Sequence, residues 1–459
     1  MGGVGRPARR GPHWIERWQP ADPACWAEKG RAVARRNMLA SIFVEHLGFS
    51  TWGLWSVLVL FMVPAAGFTI TLDQKFLLVT PVTLVGAVLW IPYTFAVGRF
   101  GGRNWTVVSA ALLLVPMICA VAAIRLPGLP LWVFLLAAAV GGIGGGNFAS
   151  SIANINFFYR DCDKGRALGL NAGGGNPGVA LTQLVGLAVI ALATIRQPVY
   201  VPLIYPPLIM AATLCAMSYM DNLSCARTDI AAQIAVVKDR HCWFMSMLYV
   251  GTFGSFIGYS FAFGLVLQNQ FHRTPLEAAY LTLIGPLAGS LSCPVGGWLA
   301  DRLGGARVTL CTIGVMAPAT AVILVATLRM SFARFGAGFV AVFVPSGFAN
   351  GSTYKLIRGI FQRRAQAGMA AAQDPEIAPA QARRLSAAML GIVGAVGALG
   401  GAAINLAFRE SYLAAGSASP ALIGFLAFCA LCAGVTYLGY LRRPAADAVP
   451  LPDLALSGG

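Results

Sequence analysis

Long apolar runs, broken by short polar or Pro- and Gly-rich stretches, dominate the 459-residue chain. A helix needs about 20 apolar residues to cross the hydrocarbon layer of a bilayer, and twelve runs reach that length. They predict helices over residues 38–63, 76–98, 105–124, 131–158, 167–194 and 200–220, and again over 243–267, 277–300, 308–329, 333–357, 385–408 and 419–441. Between the two sets, residues 221–240 mix both charges (Asp221, Arg227, Asp229, Lys238, Asp239, Arg240), the composition of a connecting loop. The pattern predicts an all-α membrane protein. Its layout is a tail (1–37), a six-helix bundle (38–220), a linker (221–242), a second six-helix bundle (243–441) and a second tail (442–459). Residues 361–384, rich in Ala, Gln and Arg, read as a surface helix between the tenth and eleventh runs.

Composition agrees, with 57% hydrophobic and 11% charged residues, against about 25% charged in a soluble domain. That excludes a water-soluble enzyme, a disordered chain and a coiled coil. The formal charge of +16 would suit nucleic acid, but its placement does not. Lys and Arg resist translocation. Twenty-five of them, from Arg6 to Arg443, fall on one side of the alternating loops, against seven on the other (Lys75, Arg125, Arg196, Arg273, Arg329, Arg334, Arg409). Both termini are therefore expected in the cytoplasm, and no nucleic-acid partner is expected. The first 37 residues lack the apolar core of a cleavable signal, so the first span is expected to direct insertion. Most of the ten cysteines fall within apolar runs and read as packing residues, and the four histidines (13, 46, 241, 272) are scattered. With no nucleophile triad or phosphate loop, neither enzymatic activity nor a cofactor or metal is expected.

The two sets echo each other. Gly101-Gly102-Arg103 follows the second run and Asp301-Arg302-Leu303-Gly304-Gly305-Ala306-Arg307 the eighth, with Gly102 and Gly305 203 residues apart. Asn147 and Asn350, each in a small-residue stretch, share that offset of 203. Two parallel six-span repeats are the pattern of the major facilitator architecture, whose substrate site lies between pseudo-symmetric halves near the bilayer midplane. The short basic loops resemble that superfamily's cytoplasmic gating motif, in which a carboxylate and arginines pair across the closed side. Asp301, Arg302 and Arg307 keep the full set in the second copy, whereas the first has Arg99 and Arg103 without an acid.

Within the membrane, glycine is the strongest signal: Gly169 to Gly178 in the fifth run, with Gly173, and Gly391 to Gly401 in the eleventh, with Gly397. Glycine lets helices approach to backbone contact, and packing alone accounts for most such runs. Asn171 and Asn176 differ, because an amide at membrane depth is costly unless satisfied and can donate to an anion without adding charge. Glu45, His46 and Lys355 are the ionisable groups at that depth, and such residues mark ion paths and proton relays. Glu45 and His46 read as a proton-coupling pair or as a polar pair near one helix end. Lys355 reads as a binding-site cation or as a residue snorkelling toward the cytoplasm.

Over residues 36–441 the chain resembles the nitrate/nitrite porter family. The two Gly-rich stretches carry the resemblance, together with Gly146 to Asn154, Asn350 to Tyr354, Thr252 to Gly258, Trp52 to Ser56 and Phe100 to Trp105. It implies a secondary transporter of nitrate, with nitrite as co-substrate or exchange partner, working by alternating access in the inner membrane. Proton symport or anion exchange would drive it, as a monomer or in concert with a second transporter. Family members hold the anion between two membrane arginines, on spans two and eight, whose planar donor forks suit a flat oxyanion. Here those positions fall on Trp90, within Gly86 to Tyr93, and on Cys293, within Gly289 to Gly296, so both clamp arginines are absent. Phe148 and Tyr249 fall where the family's flanking rings lie. An indole supplies a donor but no charge, so nitrate would be poorly compensated for its desolvation. The loss leaves two alternatives: a same-fold transporter of a different small solute, or a non-transporting sensor or partner subunit.

Overall fold

The computed structural model describes residues 13–160, 162–193, 197–226, 230–370 and 377–442. Arg196, Arg227, Asp229 and both predicted tails, up to residue 12 and from residue 443, lie outside the described residues. Among the described residues, twelve helices are long and apolar enough to cross a membrane, making this a multi-pass membrane protein. They are span 1 (Pro23–Phe61), span 2 (Leu72–Phe100), span 3 (Gly102–Arg125), span 4 (Leu131–Phe158), span 5 (Lys164–Ala193) and span 6 (Tyr200–Tyr219). After the linker come span 7 (Arg240–Gln270), span 8 (Pro275–Leu303), span 9 (Gly305–Leu328), span 10 (Phe332–Gln366), span 11 (Arg384–Ala415) and span 12 (Ser419–Leu441).

Each predicted run finds its helix, and the largest departure is at the start of span 1. Its 39 residues rise roughly 58 Å, nearly twice the hydrocarbon thickness, so its first turns stand outside the hydrocarbon layer. Hydropathy misses them because they are charged, yet Glu, Lys and Arg are good helix formers. The same cause corrects the reading of 361–384 as a separate surface helix. The helix of span 10 continues to Ala370 and the next begins at Ile377, leading into span 11. Residues 371–376, the middle of that stretch, lie outside the described residues.

The linker is also more than a loop. Asn222–Leu223 pairs in parallel with Trp14–Ile15, and Ile230–Val237 is helical. Asp221 fixes this junction by an ion pair with Arg36, and its backbone N–H donates to Asn37 Oδ1 at 2.8 Å. The Trp18 indole donates to the Phe157 carbonyl at 3.1 Å. Ile15, Trp26, Ala34, Phe158, Leu223 and Ala226 close a small apolar cluster beneath.

The membrane part turns apolar residues outward, Leu192 being 88% exposed, and buries polar ones such as Asn171 and Asn176 within a largely apolar core. The halves meet where span 2 packs on span 11, span 5 on span 8 and span 1 on span 7. Buried hydroxyls are largely satisfied within their own helices; Thr83, Thr282 and Thr353 donate to carbonyls one turn back.

The internal repeat is visible in the backbone. Gly101 and Gly304, 203 residues apart, end spans 2 and 8 with φ of 90° and 88°. Their surroundings differ: a side chain at Gly101 would collide with Asn222, whereas nothing lies near Gly304. Gly304→Ala is expected to cost about 2 kcal/mol from backbone strain alone. Gly101→Ala is expected to cost clearly more. Thermal midpoints in detergent check this, and equal losses would count against it.

Candidate functional site

A cavity of about 280 Å³ enters from the side of the termini and ends between the halves against Trp90 and Tyr249. Trp90, on span 2, meets Phe148 of span 4 edge-on at 5.1 Å and Phe253 of span 7 at 5.7 Å. Phe148 and Tyr249 stack on Phe253 at 5.6 and 5.0 Å. This ring block closes the inner end. The glycines of span 11 make room for it, since a Cβ at Gly394 would lie 2.5 Å from the Trp90 ring and one at Gly397 would run into Tyr249. The Trp90 indole N–H has no hydrogen-bond partner among the described residues, and Trp90 lies on the cavity wall.

A polar layer lies behind that wall. The Tyr249 hydroxyl donates to Asn350 Oδ1 at 2.6 Å and lies 3.0 Å from the Tyr354 hydroxyl. The amides of Asn176 and Asn350 donate to Cys293 Sγ at 3.8 and 3.9 Å. The Cys293 thiol in turn donates to the Gly289 carbonyl at 3.4 Å. Asn176 sits where span 5 breaks before Pro177, and its Oδ1 is buried without a partner. Trp90 and Cys293 stand 203 residues apart, so the two neutral residues are repeat mates, yet only Trp90 reaches the cavity.

Asn171 belongs to a different cluster. Its amide donates to Glu45 Oε2 at 2.6 Å and to Ser151 Oγ at 2.9 Å. Glu45 is 1% exposed, its Oε1 has no partner, and Gly175 leaves room for the carboxyl. The His46 ring turns aside, with Nδ1 3.2 Å from the Gly174 carbonyl. Thus, of the residues assigned to substrate binding from sequence, Trp90 and Tyr249 line the cavity. Phe148, Asn171, Asn176, Cys293, Gly173 and Gly397 lie behind its wall and shape it. Gly173 illustrates the point, because a Cβ there would come within 2.8 Å of Pro294.

The charges of the cavity were the part sequence reasoning missed. Arg160, Lys164 and Arg384 line its outer half, and among the described residues no Asp or Glu does. Arg358, 8% exposed, lies one turn beyond Tyr354 on the same face of span 10 and donates to Asn156 Oδ1 at 3.4 Å. Asn156 lines the cavity too. Low-dielectric walls focus the field of such groups on a recess. In sequence these cations are indistinguishable from topogenic loop residues; the i, i+4 spacing of Tyr354 and Arg358 was the one usable hint.

The gating loops depart from expectation. Asp301 pairs not with the arginines of its own loop but with Lys355 of span 10, at 2.9 Å. Lys355 therefore does not stand in for the absent clamp. Arg302 lies over the Trp298 ring at 4.1 Å, and Arg307 makes no ion pair among the described residues. Asp301 does face the other half, because a Cβ at Gly165 of span 5 would sit 2.9 Å from its Oδ1. Arg103 donates to the Met217 carbonyl through Nε (3.1 Å) and Nη2 (2.7 Å), tying span 3 to span 6 within one half.

Comparison with known proteins agrees with this layout. Residues 38–403 match the Major Facilitator Superfamily model. The nitrate/nitrite transporter NarU of Escherichia coli is 37% identical over 446 residues, covering 93% of this chain and 96% of the relative. The probable nitrate/nitrite antiporter NarK2 of Thermus thermophilus is 33% identical, covering 78% of this chain and 85% of its own. Among solved structures, the human organic anion transporter MFSD10 superposes with a TM-score of 0.62 at 14% identity, covering 89% of this chain and 99% of that one. The proton:xylose symporter XylE also gives 0.62, at 12% identity, covering 89% and 96%. At such identities these two structures speak to the fold alone.

Proposed function

Because the chain belongs to the major facilitator superfamily and, within it, to the nitrate/nitrite porters, we propose that it is a secondary transporter of nitrate and nitrite working by alternating access. In this reading it lies in the inner membrane with both termini in the cytoplasm, and the cavity described above is its inward-facing pathway. The observation that carries the reading is a recess between the halves, walled by rings at its inner end and lined farther out by Arg160, Lys164 and Arg384. A monovalent oxyanion leaving water needs positive potential. Lys164 and Arg384 bring it to the outer half of the cavity, and Arg358 stands behind the lining residue Asn156. The Trp90 N–H and the Tyr354 hydroxyl offer neutral donors at the inner end. Glu45, held by Asn171, carries a proton when transport runs as symport, whereas exchange of nitrite for nitrate needs none.

Purified protein in vesicles tests the proposal. Nitrate or nitrite uptake above that of empty vesicles, under a proton gradient or by exchange, is the expected result; folded protein that moves neither anion would overturn it. Arg358→Gln is expected to raise the nitrate KM about tenfold, equivalent to about 1.4 kcal/mol, with kcat little changed. An unaltered KM would remove Arg358 from the anion path. A second reading, transport of another small solute, is favoured by Trp90 and Cys293 at the clamp positions, and it predicts that neither anion competes for the site.

A further inference from the structure

On the side of the termini, the ends of spans 1 and 5 enclose a second recess, of about 710 Å³. Four guanidinium groups rim it: Arg31 and Arg35 on span 1, Arg166 on span 5, and Arg160 from the turn between spans 4 and 5. Arg160 is held by Asp163 at 2.6 Å and lies over the Trp26 ring at 5.0 Å. The other acid of the recess, Glu28, lies 3.8 Å from Lys29. Arg31, Arg35 and Arg166 have no carboxylate partner among the described residues. Tyr159 lines the recess as well, its hydroxyl donating to Met38 Sδ at 3.4 Å. Burial holds that hydroxyl above its ordinary pKa; the charge of Arg35, and less so those of Arg31 and Arg166, oppose the rise, while that of Asp163 adds to it.

Arg31 and Arg35 are an i, i+4 pair of like charge, which destabilises a helix unless something offsets it. Topology explains why arginines lie on this side, but not why three without a carboxylate partner among the described residues meet two aromatic rings at one recess. Trp26 and Tyr159 are the residue types that sit at headgroup level. The floor is apolar, built from Met38, Ala167 and Leu170. It runs out to the protein's outer face, where Leu170 is 37% exposed. A soluble anion has no use for that floor.

We infer that this recess binds an anionic phospholipid, its phosphate among Arg31, Arg35 and Arg166 and an acyl chain along Leu170. Basic recesses between membrane helices suit such headgroups. The site stands apart from the transport reading, although Arg160 also lines the central cavity and links the two.

The test uses full-length purified protein in detergent micelles doped with phosphatidylglycerol, phosphatidylcholine or inorganic phosphate. Native mass spectrometry reads the bound lipid, and thermal melting reads the stabilisation. Phosphatidylglycerol is expected to bind and stabilise over phosphatidylcholine. The combined Arg31→Gln, Arg35→Gln and Arg166→Gln variant is expected to weaken phosphatidylglycerol binding at least about tenfold. Its melting in phosphatidylcholine micelles checks folding. Arg363→Gln with Arg442→Gln, on the same side but outside the recess, should bind like the wild type. Unchanged phosphatidylglycerol binding in the triple variant would overturn the inference. So would inorganic phosphate that matches the lipid's stabilisation and displaces it, because that marks a soluble-anion site.

Discussion

Glu45→Gln is expected to cut gradient-driven accumulation of nitrate or nitrite at least tenfold, roughly 1.4 kcal/mol or more of lost driving, while exchange stays near wild type. The substitution keeps the shape of the side chain, so it fits the space that Gly175 leaves, and its oxygen can still accept from Asn171. What it removes is the exchangeable proton. The groups facing Glu45 are the neutral amide of Asn171 and hydroxyl of Ser151, with the His46 ring turned to the Gly174 carbonyl. An ionisable residue at membrane depth with no cation against it marks a proton path. Uptake across a pH series, with and without an imposed gradient, is the measurement. A variant whose pH dependence matches the wild type would end the assignment.

Trp90→Arg and Cys293→Arg are expected to part company. From sequence, restoring both arginines should raise nitrate binding. The structure divides them, because Trp90 faces the cavity while Cys293 lies behind its wall between two amides. A guanidinium at residue 90 has water and anion within reach, and nitrate binding is expected to tighten about tenfold. At residue 293 it overfills a closed space, at about 1–3 kcal/mol, and buries a charge with no carboxylate beside it, at about 3–5 kcal/mol. The expected result is a large fall in thermal midpoint, and the double variant should inherit it. Calorimetric nitrate binding and melting curves read both effects. A Cys293→Arg protein as stable as the wild type would contradict the placement of that side chain.

The spans were legible because lipid imposes one strong constraint, a long apolar run, that the chain meets twelve times. The repeat was legible because Gly101 and Gly304 must adopt a backbone that side chains resist. The cavity was not, because hydropathy scores a lumen arginine such as Arg384 and a loop arginine such as Arg442 alike. Which polar residue faces the lumen and which faces a neighbour depends on helix rotation, and Asn171 and Asn176 show it: both are buried amides, one on Glu45 and the other on Cys293. The pairing of Trp14–Ile15 with Asn222–Leu223 is shorter than any sequence period can announce and is decided wholly by tertiary contacts.

That short pairing has a mechanical consequence. Trp18, Pro20 and Ala21, just past it, form part of the cavity wall, as do Cys225 and Gln233 of the linker. Sealing the inner mouth must therefore displace a stitched flap made from two distant stretches of chain, and cutting the stitch at Ile15 or Leu223 would let the doorway drift and loosen its seat on Phe158 at the end of span 4.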